Sequence, residues 1–216
     1  MLNLLLLGPQ GSGKGTQAKR ICAAHGIPHI STGDMFRDHI ARDTELGKKV
    51  KAITASGQLV PDEVTNALVK ERLSRPDVAK GFILDGYPRT VPQAEYLEGL
   101  LRSLGRKLER VISYEVAEEM IVERISGRRS CPKCGAVYHV SQNPPRKTGQ
   151  CDRDGADLVQ RPDDQPENVR IRLEEYADKT EPLKRFYREK GLVSEVDGVG
   201  STEGILATTR RVLDRR

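Results

Sequence analysis

The chain has 216 residues, enough for one substantial α/β unit with inserted subdomains and too few for two full-sized domains. Hydrophobic residues make up 37% and charged residues 31%, a globular balance that excludes a disordered chain, a collagen-like repeat and a coiled coil. A net charge of +5 suits anionic partners, but with no Trp, three Phe and six Tyr the chain is poorly equipped to stack many single-stranded bases.

The apolar run from Leu2 to Leu7, interrupted by Asn3, has no basic residue before it and no small-residue cleavage site after it, so it does not read as a signal peptide. No stretch approaches the roughly 18 apolar residues of a membrane span, and a cytoplasmic protein without a membrane partner is expected. Leu4 to Leu7 stops at the glycine-rich turn Gly8-Pro9-Gln10-Gly11-Ser12-Gly13, which predicts a buried parallel strand, a loop, and a helix from about Lys14 to His25 ended by Gly26. Cys22, alone in that helix, reads as a small buried apolar residue.

Further along, 31–60 reads as two short helices bounded by Gly57 and Pro61, the first capped by Ser31 or Thr32 with Asp34 in its first turn. Gly81 to Asp85, 110–116 and 191–197 have strand character with helical stretches between them, an alternation that predicts a parallel sheet covered by helices on both faces. The stretch 128–160 has no helical period and holds three of the four cysteines, whereas 170–190 resumes a helix of mixed charge, broken or kinked where Pro182 follows Glu181.

Two motifs carry chemistry. Gly8 to Lys14 matches the G-x-x-x-x-G-K phosphate loop, in which backbone N–H groups and the following helix N-terminus cradle phosphate oxygens. The residue after the lysine is Gly15 rather than Ser or Thr, which displaces the usual hydroxyl by one position to Thr16. Cys131-x-x-Cys134-Gly135 and Cys151-x-x-Asp154-Gly155 are half-motifs of one shape that together offer Cys131, Cys134, Cys151 and Asp154 to a tetrahedral structural zinc, with His139 as the alternative fourth ligand. The same module could be a ribbon that binds nucleic acid, but its basic residues are only mildly in excess and Tyr138 is its one aromatic.

The run Gly8-x-x-Gly11-x-Gly13-Lys14-Gly15-Thr16-Gln17 closely resembles the phosphate loop of the adenylate kinase family. Ser31-Thr32-Gly33-Asp34-Met35-Phe36-Arg37 resembles the start of that family's monophosphate-binding insert, and Asp85-Gly86-Tyr87-Pro88-Arg89-Thr90 with Gln93 resembles its signature. Gly127-Arg128-Arg129 and Asp163-Asp164 flank what resembles its lid, and the likeness runs from Leu4 to about Asp197 in the family's order. It implies a P-loop NTPase-type parallel five-stranded sheet wound by helices, with a core of 1–30, 61–126 and 165–216, a monophosphate-binding insert at 31–60 and a zinc lid at 127–164.

The activity implied is reversible phosphoryl transfer from ATP with Mg²⁺ to AMP, giving two ADP, by a monomer with no nucleic-acid partner. The resemblance assigns Gly11, Ser12, Gly13, Lys14, Gly15 and Thr16 to the ATP phosphates, and Val137, Tyr138 and Gly200 to further nucleotide contacts. Lys14, Arg124, Arg128, Arg161 and Arg172 become the cations on the transferring group, and Asp85 orients Mg²⁺ through its waters. Arg37, Gly86 and Arg89 hold the acceptor, whose base falls to Thr32, Gln93 and the backbone of Gln58, Leu59 and Val60. A uridylate or cytidylate kinase, and a phosphate-loop ATPase that binds nucleic acid, are the rival readings.

Overall fold

The computed structural model describes residues 1–214. Strands β1 (Leu2–Leu7), β2 (His29–Ser31), β3 (Gly81–Asp85), β4 (Arg110–Glu115) and β7 (Val193–Asp197) form one parallel sheet in the order β2-β3-β1-β4-β7. Central β1 is buried on both faces, which is why it is an unbroken apolar run rather than an alternating one. Leu5 and Leu7 pack with Phe82, Leu84 and Val111 under helices α4 (Asp62–Leu73), α5 (Val91–Ser103) and α8 (Pro182–Arg188). Leu4 and Leu6 pack with Ile83, Ile112 and Val196 under α1 (Lys14–His25) and α9 (Thr202–Asp214), where Cys22 is buried as expected.

Four of these strands were legible as strands. The fifth, β2, has three residues, too few for a period to show, and it pairs His29 with Ile83 and Ser31 with Asp85. Helix α1 has the expected bounds, and Gly26 ends it at φ 63°, a left-handed conformation that glycine adopts without steric cost.

Between β2 and β3 lie α2 (Thr32–Ala41) and α3 (Glu45–Ala55), with Ser31 capping the first by accepting from the Asp34 N–H at 3.3 Å. Phe36, Val50, Val60 and Leu68 give these helices a small core of their own against α4. The stretch 128–160 contains no helix; β5 (Arg128–Ser130) and β6 (Val137–His139) pair antiparallel. It is entered from α6 (Glu118–Ser126) and left into α7 (Pro166–Glu175), and Ile121, Ile125 and Val169 pack the two helices together at its root.

The break in the helix over 170–190 lies a turn earlier than Pro182 alone suggests. Residues Tyr176–Thr180 form a π-helical turn, closed where the Glu181 N–H donates to the Tyr176 carbonyl at 2.8 Å. Pro182 has no N–H to give to the preceding turn, so the widened turn absorbs the defect before the proline is reached. Among the described residues no helix is long and apolar enough to cross a membrane.

Candidate active site

Open parallel sheets bind ligands beyond the carboxyl ends of their strands, and here the ends of β1 and β3 place a glycine loop beside a carboxylate. The loop turns through Gly8 (φ 136°), Gly11 (φ 75°) and Gly13 (φ 89°), and a Cβ on Gly8 would lie 2.8 Å from the Tyr114 carbonyl oxygen, so only glycine fits. Lys14 opens α1 and donates from Nζ to the Pro9 carbonyl at 3.1 Å. Ser12 Oγ is buried in the loop without a protein partner, while Thr16 is exposed in the first turn of the helix.

Asp85, at the end of β3, faces that loop across Gly15, where a Cβ would lie 3.3 Å from Asp85 Oδ2. His29 Nε2 stands 3.1 Å from the same oxygen, brought there by the pairing of β2 with β3. Burial works to raise the Asp85 pKa, but the His29 hydrogen bond and the charges of Lys14 and Arg89 outweigh it and hold the carboxyl below its ordinary range. His29 is a residue that sequence reasoning passed over: one histidine among four carries no signal until the strand pairing is known.

A crowd of cations faces this carboxylate. Loss of hydration lowers the Lys14 pKa to about 8, and Arg89, Arg172 and Arg128 push in the same direction against the pull of Asp85. Withdrawal from water likewise takes Arg172 down to about 10, opposed by Asp163 and aided by Arg89 and Arg128, and Arg161 down to about 10, aided by Arg37 and Arg128. So many cations held close together create a strong demand for anionic ligand oxygens.

Each arginine is already aimed by a protein acceptor. Arg128 forms a two-point pair with the fully buried Asp164, its Nε donating to Oδ2 at 2.8 Å. Arg172 pairs with Asp163, Arg161 Nε donates to Ser130 Oγ at 2.8 Å, Arg37 pairs with Asp34, and Arg89 Nε donates to the Gly86 carbonyl at 2.9 Å. Arg124 is not part of this crowd. Its guanidinium is spent on the carbonyls of Gly11 (3.3 Å) and Gly198 (2.9 Å), behind the glycine loop and near Gly200.

A cavity of about 670 Å³ opens between 31–60 and the cysteine module, with Thr32, Arg37, Gln58, Leu59, Val60, Gly86, Arg89, Gln93, Arg161 and Arg172 in its wall. That is the size range of small-ligand sites. A smaller cavity of about 60 Å³ lies between Lys14, Arg89 and Arg172. The sequence-derived acceptor residues therefore share one chamber, whose far wall includes Cys131, Pro132 and Cys134.

In the cysteine module two matching knuckles face each other. Gly135 N–H returns to the Cys131 carbonyl and Gly155 N–H to the Cys151 carbonyl, at 3.1 and 2.9 Å, with both glycines at positive φ. One ligand atom from each of Cys131, Cys134, Cys151 and Asp154 lies within 4.8 Å of all the others. Ligands about 2.3 Å from a central ion stand roughly 3.7 Å apart, and here Cys134 and Cys151 sulfurs are 3.5 Å apart and Cys131 Sγ is 3.4 Å from Asp154. The cluster is compatible with zinc.

His139 is turned away from it: Nδ1 accepts from the Ser141 and Gln142 N–H groups, and Nε2 lies over Gly127, 3.4 Å from the Glu123 carbonyl. Gly127 has an ordinary φ of −83°, so what it supplies is room for that ring. Tyr138 is also held inside the module, accepting from the Asp152 N–H at 2.9 Å with its hydroxyl 3.6 Å from Cys151 Sγ, whereas Val137 beside it is exposed.

The sequence model of the family described as "Adenylate kinase" matches residues 6–192. The chain is 72% identical to an adenylate kinase of Anaeromyxobacter dehalogenans, with 98% of this chain and 99% of that one aligned. It is 51% identical to an adenylate kinase of Archaeoglobus fulgidus over 99% of both chains, and 50% identical to one of Shouchella clausii over 100% of this chain and 99% of that one.

Proposed function

The chain belongs to the adenylate kinase family, a family of phosphotransferases acting on ATP and AMP, and from that premise we propose how its own residues carry out reversible transfer to give two ADP. The observation that supports the reading best is that Arg37, Arg89, Arg161 and Arg172 line one chamber, while Lys14 shares a smaller cavity with Arg89 and Arg172, and Arg128 stands near enough to depress the pKa values of Lys14 and Arg172. Phosphoryl transfer asks little covalent work of a protein and much alignment and charge neutralisation.

The loop from Gly8 to Gly13 cradles the ATP phosphates with its N–H groups, and Lys14 swings from the Pro9 carbonyl to bridge the β and γ phosphates. Arg37 and Arg89 grip the acceptor's phosphate, while Arg128, Arg161 and Arg172 reach the group in flight. The carboxylates of Asp163 and Asp164 keep two of these guanidinium groups pointed inward beforehand, so little reorganisation remains at the moment of transfer. Arg124 acts from behind the glycine loop, holding the Gly11 and Gly198 carbonyls, and Val137, Tyr138 and Gly200 are left to further nucleotide contacts. No general base is required, because the attacking phosphate oxygen is already anionic.

Asp85 fits Mg²⁺, being ionised and open across Gly15 to the loop, and Mg²⁺ supplies positive charge that offsets the charge of the phosphates. Cys131, Cys134, Cys151 and Asp154 hold zinc in a closed structural site that staples 127–164. Segments 31–60 and 127–164 close over the two nucleotides as monophosphate-binding insert and lid. We take the enzyme to work as a cytoplasmic monomer on free nucleotides; the four arginines Arg37, Arg89, Arg161 and Arg172 in the chamber wall support the small-nucleotide part of that reading.

Turnover with ATP and each of AMP, GMP, UMP and CMP, with and without single-stranded RNA, tests this. AMP is expected to be preferred and RNA to have no effect; preference for UMP or CMP, or hydrolysis that RNA stimulates, would overturn it.

A further inference from the structure

Among the residues of the chamber, Gln93 is 2% exposed, and its carboxamide is held at both ends. The Arg89 N–H donates to its Oε1 at 2.7 Å, and its Nε2 donates to Asp62 Oδ1, also at 2.7 Å. Asp62, in the first turn of α4, is itself held, because Thr90 Oγ1 donates to its other oxygen at 2.9 Å. Thr90 is fixed in turn as the cap of α5, accepting from the Gln93 N–H at 3.2 Å.

A carboxamide has two faces that differ only in which end donates, and an unrestrained glutamine can present either. Here the choice is removed: a backbone N–H only donates, so the oxygen must face Arg89, and a carboxylate only accepts, so the NH₂ must face Asp62. One N–H and one lone pair are left over, in fixed order, on a side chain that lines the chamber together with Thr32 and Val60. A donor and an acceptor side by side match adenine, which offers a ring nitrogen acceptor next to an amino donor. Guanine offers a carbonyl acceptor where adenine has its amino donor, so it meets the fixed fork with like facing like.

We infer that Asp62 is a specificity-positioning residue: it never touches the acceptor nucleotide, but it locks the Gln93 carboxamide in the orientation that accepts adenine and rejects guanine. The inference rests on the reading above in which Gln93 faces the acceptor base. Asp62 does not stand out in the sequence, since an aspartate at the start of a helix is explained by the helix itself, and Thr90 stands in the signature that begins at Asp85 with no role of its own.

The test compares AMP with GMP as acceptor at saturating ATP. Asp62→Ala is expected to raise the KM for AMP about tenfold and to lower the ratio of kcat/KM for AMP over GMP by about the same factor, while the KM for ATP stays within about twofold. Asp62→Asn should recover most of the ratio, since its amide oxygen can still accept from Gln93 and its nitrogen can donate to Thr90. A role confined to stability would shift the melting temperature without moving the ratio. Thr90→Val, which releases the other end of Asp62, should move the ratio in the same direction and serves as the readout if Asp62→Ala fails to fold. A folded Asp62→Ala or Thr90→Val protein with wild-type discrimination overturns the lock. Gln93→Leu separates the two layers: unchanged KM for AMP in that variant would overturn the base-site reading itself, whereas loss of discrimination there but not in Asp62→Ala would overturn the lock alone.

Discussion

Gly15 and Asp85 share one small space: a single methyl group added to the glycine would stand 3.3 Å from the aspartate's Oδ2. The carboxylate cannot retreat freely, because His29 holds that same oxygen at 3.1 Å. The departure of this loop from the generic pattern, with glycine where Ser or Thr usually follows the lysine, thus follows from the approach of β3. Gly15→Ser is expected to lower kcat/KM by about tenfold, about 1.4 kcal/mol, with the fold retained since Gly15 needs no unusual backbone angle. Steady-state kinetics beside a thermal melt checks it; full activity would mean that Asp85 yields after all.

Lys14 makes a prediction about protons. Its pKa in the free protein is pushed from 10.5 to about 8, mainly by loss of water, so between those values the unfolded chain binds more protons than the folded one. Its contribution to stability therefore grows as pH rises from about 8 to about 10.5. Phosphate oxygens placed beside the ammonium restore its charge, so ATP binding near pH 8.5 should take up protons. Calorimetry in two buffers of different ionisation heat is expected to show that uptake, and Lys14→Met to abolish it while cutting transfer about 1000-fold in a folded protein.

The cysteine module should contribute stability and no chemistry. Its own core amounts to Cys131, Ala136, Tyr138 and Cys151 with Ala156 and Leu158 packed against them, too little to hold the two knuckles together unaided. Cys134→Ser is expected to release metal and lower the melting temperature by about 10 °C, with turnover at low temperature preserved. Elemental analysis of protein purified without chelator should find one zinc per chain.

Closure should depend on both nucleotides. Lys19 on α1 reaches the Gly135 carbonyl of the module at 3.2 Å, and a Cβ on Gly57 would collide with Asn168 and Arg172, so 31–60 and the cysteine module rest against the core here, the arrangement that two bound nucleotides are expected to hold against a more open one. A ligand joining two adenosines through five phosphates is expected to bind at least about 100-fold more tightly than ATP or AMP alone and to reduce the radius of gyration in X-ray scattering. ATP hydrolysis without acceptor should be slow beside transfer to AMP.

Local signals carried much of this. The phosphate loop and α1 stand out because glycines and a contiguous apolar run act over adjacent residues, and the knuckles because their spacing repeats. What was hidden depends on long-range pairing. His29 matters only because three residues of β2 align with β3, and Asp62 only because α4 meets the start of α5. Arg124 and Tyr138 look like site residues by position, yet the sequence cannot say that one spends its guanidinium on two carbonyls and the other keeps its ring beside a thiol. The π-helical turn at Tyr176–Thr180 is likewise a compromise between Pro182 and the packing of α7, which no window of residues displays.

The pairing of Arg128 with Asp164 joins residues 36 apart at the point where the chain leaves and re-enters the body of the protein. Everything between them is therefore a loop tied off at its neck, and the cost of closing such a loop changes only slowly with its length. The stretch 131–159 could therefore be exchanged for a shorter one without cutting a single strand pairing of the five-stranded sheet, provided that Arg161 and Asp163 at its exit are kept. An engineer grafting a foreign loop between Ser130 and Gln160 would leave that neck and the cations at its exit in place.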